Sequence, residues 1–304
     1  MNNQSVLKGI GFGLVTAFIW GLWPAASGLG IKNSLNGGDL AVIRVSVASF
    51  ILFPFVLRKG FGKIGWKMGL VMMFGAGFPY AVITTSGMYY APAGHAGVLA
   101  PSAMMAATML LSWIMFGDKP GPWRVFGFVL ILAGVTLIGW STFEAGNADS
   151  WKGDLLYCLG GVCWAFYTVS IRKTGADGLH ATGLVAVLSL VICVPPWLLF
   201  GESNLMNAPV NDILVQILFQ GILSAVLALV FFTKTVTLLG PVRGALFAAL
   251  VPVVALLFAI PMLNEIPGQY EWAGMGLVTT GMLAALGFFR LLLGRPRPAT
   301  KISG

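Results

Sequence analysis

Polar and charged positions divide the chain into ten apolar stretches, at about 9–30, 39–57, 67–89, 94–116, 123–140, 153–172, 180–200, 212–237, 242–263 and 272–293. Each is long enough, or nearly so, to cross a hydrocarbon core of about 30 Å as a helix. Lipid offers no partner to a free backbone N–H or C=O, so such stretches must bond internally. The pattern therefore predicts ten transmembrane helices. The longest polar connections run from Ser141 to Lys152 and from Gly201 to Asp212, which leaves no room for a separate soluble domain. The first run, after Lys8, ends near Ala25-Ala26-Ser27 in the manner of a signal peptide. A counterpart deeper in the chain argues for a retained span.

That counterpart belongs to a repeat. Gly9 and Trp20 align with Gly153 and Trp164 at an offset of 144. From Gly97 onward the offset is 147: Gly97, Leu99, Pro120, Gly121, Gly127 and Gly134 match Gly244, Leu246, Pro267, Gly268, Gly274 and Gly281, while Asp118 matches Glu265. One register held through so many Gly and Pro positions indicates a duplication, with halves at 1–145 and 146–304. Five spans is an odd number, so the second half enters the membrane upside down. The expected fold is an all-α integral membrane protein of two inverted five-helix repeats, a construction that recurs in secondary transporters.

Charge sets the expected orientation. With the N-terminus cytoplasmic, fifteen of the 18 Lys and Arg fall on the inner side, including Arg290, Arg295, Arg297 and Lys301 of the tail; only Lys32, Arg44 and Lys152 fall outside. Basic residues concentrate in cytoplasmic loops, so both termini are expected in the cytoplasm of a cell-membrane protein. The same rule accounts for the net charge of +8 without nucleic acid as a partner. Charged residues make up 9% of the chain and apolar residues 58%. A soluble domain, which carries roughly 25% charged residues, needs a polar skin that this composition cannot supply.

Little in the sequence suggests catalysis. There is no GxxxxGK[ST] phosphate cradle, His95 and His180 lie far apart, and Cys158, Cys163 and Cys193 sit in apolar runs without CxxC spacing. No catalytic residue, metal ligand or cofactor is expected. The carboxylates Asp39, Asp118, Asp154, Glu265 and Glu271 all fall at span ends, so facilitated export and a proton antiport using His95 or end-located groups both stay open.

A solute site is expected near the midplane, where the halves meet. Trp20 and Trp164 are repeat-related and mid-span, with Trp23 and Tyr167 at i+3 on the same helical faces. Two such faces could sandwich an apolar or aromatic group. Gly75-Ala76-Gly77-Phe78-Pro79-Tyr80 interrupts the third span, and Pro79 frees a carbonyl one turn earlier. Tyr80 is thus a candidate cavity wall, with a plain packing kink as the alternative. His95 opens the fourth span, whose N-terminus suits a carboxylate, with a mouth residue in outside water as the alternative. Arg44 and Arg243 are gate or mouth candidates, Arg44 near the outer surface and Arg243 at the inner one, with a structural role for Arg44 and plain loop charge for Arg243 as the alternatives.

The sequence Leu40-Ala41-Val42-Ile43-Arg44 in the second span, the acidic residues closing spans four and nine (Asp118 and Glu265), and Pro252 midway in span nine resemble the EamA-type members of the drug/metabolite transporter superfamily. The resemblance covers essentially the whole chain. It implies export of amino acids or other metabolites, and the aromatic interior points to the branch exporting aromatic and other neutral amino acids. Two positions depart from the pattern: Asp118 stands where Glu is usual, and Met105 occupies the register position of Pro252.

The expected partners are thus a small solute, an amino acid first, and the lipid bilayer, with the chain a monomer or a homodimer. Close packing is expected along the Gly-rich spans five and ten, within one chain or between two. A carrier of phosphorylated or nucleotide-linked sugars would need several cations in the cavity, and only Lys234, Arg243 and Arg44 are available. A passive channel or scaffold is the other alternative.

Overall fold

The structure, a computed structural model, describes residues 3–144 and 149–288. The basic tail residues Arg290, Arg295, Arg297 and Lys301, the end of the last apolar stretch and the 145/146 boundary lie outside the described residues. Among the described residues, nine helices are long and apolar enough to cross a membrane: α1 (Gln4–Asn33), α2 (Gly37–Lys59), α3 (Gly65–Tyr89), α4 (Ala93–Phe116), α5 (Pro122–Trp140), α6 (Ser150–Thr174), α7 (Gly178–Phe200), α8 (Val210–Leu239) and α9 (Arg243–Leu263). A further helix, α10 (Gln269–Ala285), has 17 residues.

Local chemistry sets the helix ends. Asn36 and Asp39 form a reciprocal capping box at the start of α2, and Gly60, at φ 54°, ends that helix in a conformation that disfavours a side chain. Gly117 and Gly175 end α4 and α6 in the left-handed region in the same way. Four helices are irregular inside, α9 through a 3-10 turn over Leu246–Leu250. At Gly77, α3 breaks, and the N–H of Phe78 donates to Ser189 Oγ of α7 at 3.1 Å. Cys193 interrupts α7 just before Pro195. Ile217–Leu227 of α8 winds as a π-helix. The irregular backbone of α3 and α8 falls in symmetry-related helices, and one face of each irregular segment (Gly77 and Phe78; Gln220, Gly221, Ser224 and Ala225) is buried in protein.

The packing has the symmetry of the repeat. The first helix of each half lies against the third and fourth of the other: α1 against α8 and α9, α6 against α3 and α4. The second helices, α2 and α7, pair with each other, as do the fifth, α5 and α10. Glycines make the last seam close. A Cβ on Gly134 would stand 2.6 Å from the Gly274 carbonyl oxygen, and one on Gly281 would stand 2.6 Å from that of Gly127. The Gly-rich spans thus pack within one chain.

Cross-links define two ends of the bundle. At the near end, where α1 begins, Asp118 pairs with Arg172, and His180 Nε2 lies 2.8 Å from the Gly60 carbonyl oxygen. At the far end, where α1 finishes, the Ser34 hydroxyl donates to Asp212 at 2.7 Å, and that of Tyr157 to the Ala91 carbonyl at 3.0 Å. On these contacts α1 runs from near to far and α6 from far to near, so the two halves are inverted.

Candidate functional site

A cavity of about 570 Å³ reaches from the middle of the bundle to the near end. Trp20, Trp23, Arg44, Tyr80 and Trp164 line its deep part, while Asp118, Arg124 and Arg172 stand at its near-end mouth. A second cavity of about 230 Å³ adjoins it and shares Trp20, Arg44, Trp164, Thr168, Ser224 and Phe232. Small residues shape the walls. Gly97 and Gly161 border the larger space, and both pack so closely on neighbouring helices that a side chain there would displace backbone or a buried alanine.

The symmetric tryptophans border both cavities. Each indole packs on an aromatic neighbour from a different helix. Trp20 lies 5.3 Å from Phe232, and Trp164 meets Tyr80 edge-on at 4.8 Å. Trp164 also packs on Tyr167, whose hydroxyl lies 3.0 Å from Thr182 Oγ1 and which lines the smaller cavity alone. Tyr80 follows the break in α3 by three residues and turns into the larger cavity. Such aromatic walls favour planar or apolar solute groups.

A row of polar residues missed in the sequence reading faces α1 from α8. Gln216, Gln220 and Ser224 recur every fourth residue inside an apolar run, a helical spacing that could have revealed them. The Trp23 indole N–H donates to Gln220 Oε1 at 2.6 Å, the Gln220 amide donates to Ser27 Oγ at 2.7 Å, and the Gln216 amide donates to the Ala26 carbonyl at 2.8 Å. These bonds hold Trp23 in one orientation at the cavity floor.

Arg44 departs from its expected place near the outer surface. It lies seven residues into α2, roughly 10 Å along the axis, is 9% exposed, and borders both cavities. Its Nη1 donates to Ser224 Oγ at 3.1 Å, and its guanidinium carbon stands 6.0 Å from the Trp23 ring centre. Helix α2 carries it inward because Asp39, at the helix start, is held at the far end by Ser203 Oγ and the N–H of Asn204, at 2.7 and 3.0 Å.

His95 departs in the other direction. It lines neither cavity and is 3% exposed, between carboxylates at the far end. Its Nδ1 lies 2.9 Å from Asp154 of α6, and its Nε2 lies 2.8 Å from Glu271 of α10. A carboxylate only accepts and a neutral imidazole has a single N–H, so making both bonds requires an imidazolium or a protonated acid. Glu265 completes the cluster by accepting the N–H groups of Ala93 and Gly94, both at 2.9 Å, at the start of α4. The helix N-terminus expected to meet a solute carboxylate is thus occupied by the chain's own. Burial of His95 is a tertiary effect: three helix ends from both halves converge on it. Arg243 is exposed at the start of α9 and lines neither cavity. The Lys234 ammonium sits 5.2 Å from the Phe12 ring centre.

The model of the EamA-like transporter family matches twice, over residues 7–140 and 151–287. Relatives agree along most of the chain. A transporter of Archaeoglobus fulgidus is 27% identical over 87% of this chain and 92% of its own. The Bacillus subtilis transporter YyaM is 26% identical over 74% and 73%. The Escherichia coli inner membrane transporter YedA is 23% identical over 79% and 78%. A solved crystal structure shares the fold, with a TM-score of 0.64 at 20% identity, over 97% of this chain and all of that one. With two copies of the family's repeat, a bundle of membrane-length helices and a cavity between the halves, the chain is a multi-pass membrane protein and belongs to the EamA-like transporter family.

Proposed function

We propose that this transporter is an alternating-access secondary carrier that exports small solutes with an apolar or aromatic part, amino acids being the first class to test. The observation that carries the reading is a cavity open at one end, walled by the repeat-related pair Trp20 and Trp164 and closed at the other end by buried polar contacts. A carrier needs one site reached from one side at a time, and inverted halves supply two states of similar energy. The near end is the cytoplasmic one on the charge rule, since Arg58, Lys59, Lys63, Lys119 and Arg124 lie there. The conformation is then the loading state of an exporter.

The alternatives are weaker. A phosphorylated or nucleotide-linked solute calls for several cations, and at the deep part of the cavity Arg44 stands alone among the lining residues. A continuous channel does not suit the closed far end.

Reconstitution in liposomes preloaded with labelled aromatic amino acids tests the reading. Saturable efflux, which requires the protein, is the expected result. Linear, unsaturable flux would indicate a channel. Exchange of sugar nucleotides with no amino-acid flux would sink the proposal.

A further inference from the structure

Arg44 is the structural feature that a purely aromatic cavity does not explain. Arg44 is 9% exposed and inside the bundle. Among the described residues no carboxylate pairs with it, and its one hydrogen bond goes to a neutral hydroxyl, Ser224 Oγ at 3.1 Å. A buried cation is ordinarily paired or bonded to acceptors, because desolvation is otherwise uncompensated. Contact with the Trp23 face offsets part of that cost. The remaining N–H donors stand at the border of two cavities between Trp20 and Trp164. A planar fork of donors matches a carboxylate in shape and charge.

We propose that Arg44 is the anchor for a solute carboxylate and that this site selects amphipathic monocarboxylates, with or without an α-ammonium: one carboxylate on Arg44, an apolar or aromatic body against Trp20 and Trp164. The inference rests on the carrier reading above and narrows its substrate class. A dianionic phosphate would need more than this one cation. An α-ammonium, in turn, finds no acid near Arg44. Asp118 is the one carboxylate among the lining residues, and it is at the near-end mouth, paired with Arg172. The carboxylate is therefore read and the ammonium is not, so a deaminated acid binds at least as well as the amino acid.

The test compares L-tryptophan, indole-3-propionate and tryptamine for thermal stabilisation and equilibrium binding to the purified full chain in lipid nanodiscs. Both acids are expected to bind, with tryptamine weaker by about tenfold or more, the scale of a lost charge-assisted hydrogen bond. Arg44→Gln is expected to lose the acids by a similar factor while melting no lower than the parent, because no carboxylate is left unpaired. Arg44→Lys should recover part of the binding. Equal binding of tryptamine, or acid binding unchanged in Arg44→Gln, overturns the carboxylate assignment and leaves the carrier reading standing. Binding of tryptophan without indole-3-propionate overturns the claim that the ammonium is not read. Failure of all three to bind overturns the assignment together with the reading of this cavity as an aromatic-solute site. The ligand comparison on the parent protein decides the matter even if the variants fail to fold.

Discussion

At the scale of single residues, the proposed site uses the faces of Trp20 and Trp164. Removing an indole takes away stacking on the order of 0.5–1.5 kcal/mol beyond the lost apolar area. Trp20→Ala and Trp164→Ala should each raise the KM for an aromatic solute several-fold in reconstituted protein, and Phe at either position should restore most of the affinity. Unchanged KM in both alanine variants would remove the indoles from the site. Their mid-span position and symmetry were legible in the sequence. The burial of Arg44 was not: its spacing from the start of α2 is plain, but only the capped and clamped Asp39 shows how deep that start lies.

At the scale of elements, the pairing of α5 with α10 depends on the absence of side chains. Gly134→Val would push a branched side chain against the Gly274 carbonyl oxygen, 2.6 Å from the first added carbon. Overpacking of this kind costs about 1–3 kcal/mol, read as a lower melting temperature in detergent. Gly276, on the same helix α10, has open space around it, and Gly276→Ala should leave the melting temperature unchanged or raise it slightly. Equal effects at the two positions would mean that the seam is loose. The far-end cluster is a second element-scale device, joining α4, α6 and α10 through His95. His95→Ala leaves Asp154 and Glu271 without their shared partner, so the far end should open more often. In a chain whose native cysteines are replaced, Met104→Cys in the cavity wall should react with an impermeant thiol reagent from the near side only. The His95→Ala background should add labelling from the far side; no added labelling would remove the cluster as a seal.

For the whole molecule, the near-end mouth bears on pH dependence. The Arg172 guanidinium, hydrogen-bonded to Asp118, holds that carboxyl below its ordinary value of 3.8. A depressed carboxylate contributes its stabilisation above the ordinary value and loses it as pH falls through the lowered one. The pair therefore stays intact throughout the range from about pH 5 to 8. Asp118→Asn is expected to leave the shape of the flux–pH profile over that range unchanged, measured in liposomes with equal pH on both sides. A profile that flattens in the variant would place a titrating group at the mouth after all.

Much of the architecture follows from the sequence because its causes are local or periodic. The length of an apolar stretch against the thickness of a bilayer sets the spans, and a register of Gly and Pro at 147 residues reveals the duplication. The family model matches twice, over 7–140 and over 151–287. The tertiary structure alone decided which polar residues meet. His95 and Asp154 are 59 residues apart, and Arg44 and Ser224 are 180 apart. No periodicity in one helix says which face its neighbour presents, so burial and pairing emerge only when the two inverted halves close on one another. That closure buried His95 between two carboxylates rather than leaving it at a mouth, and set Arg44 at the border of both cavities rather than near the outer surface.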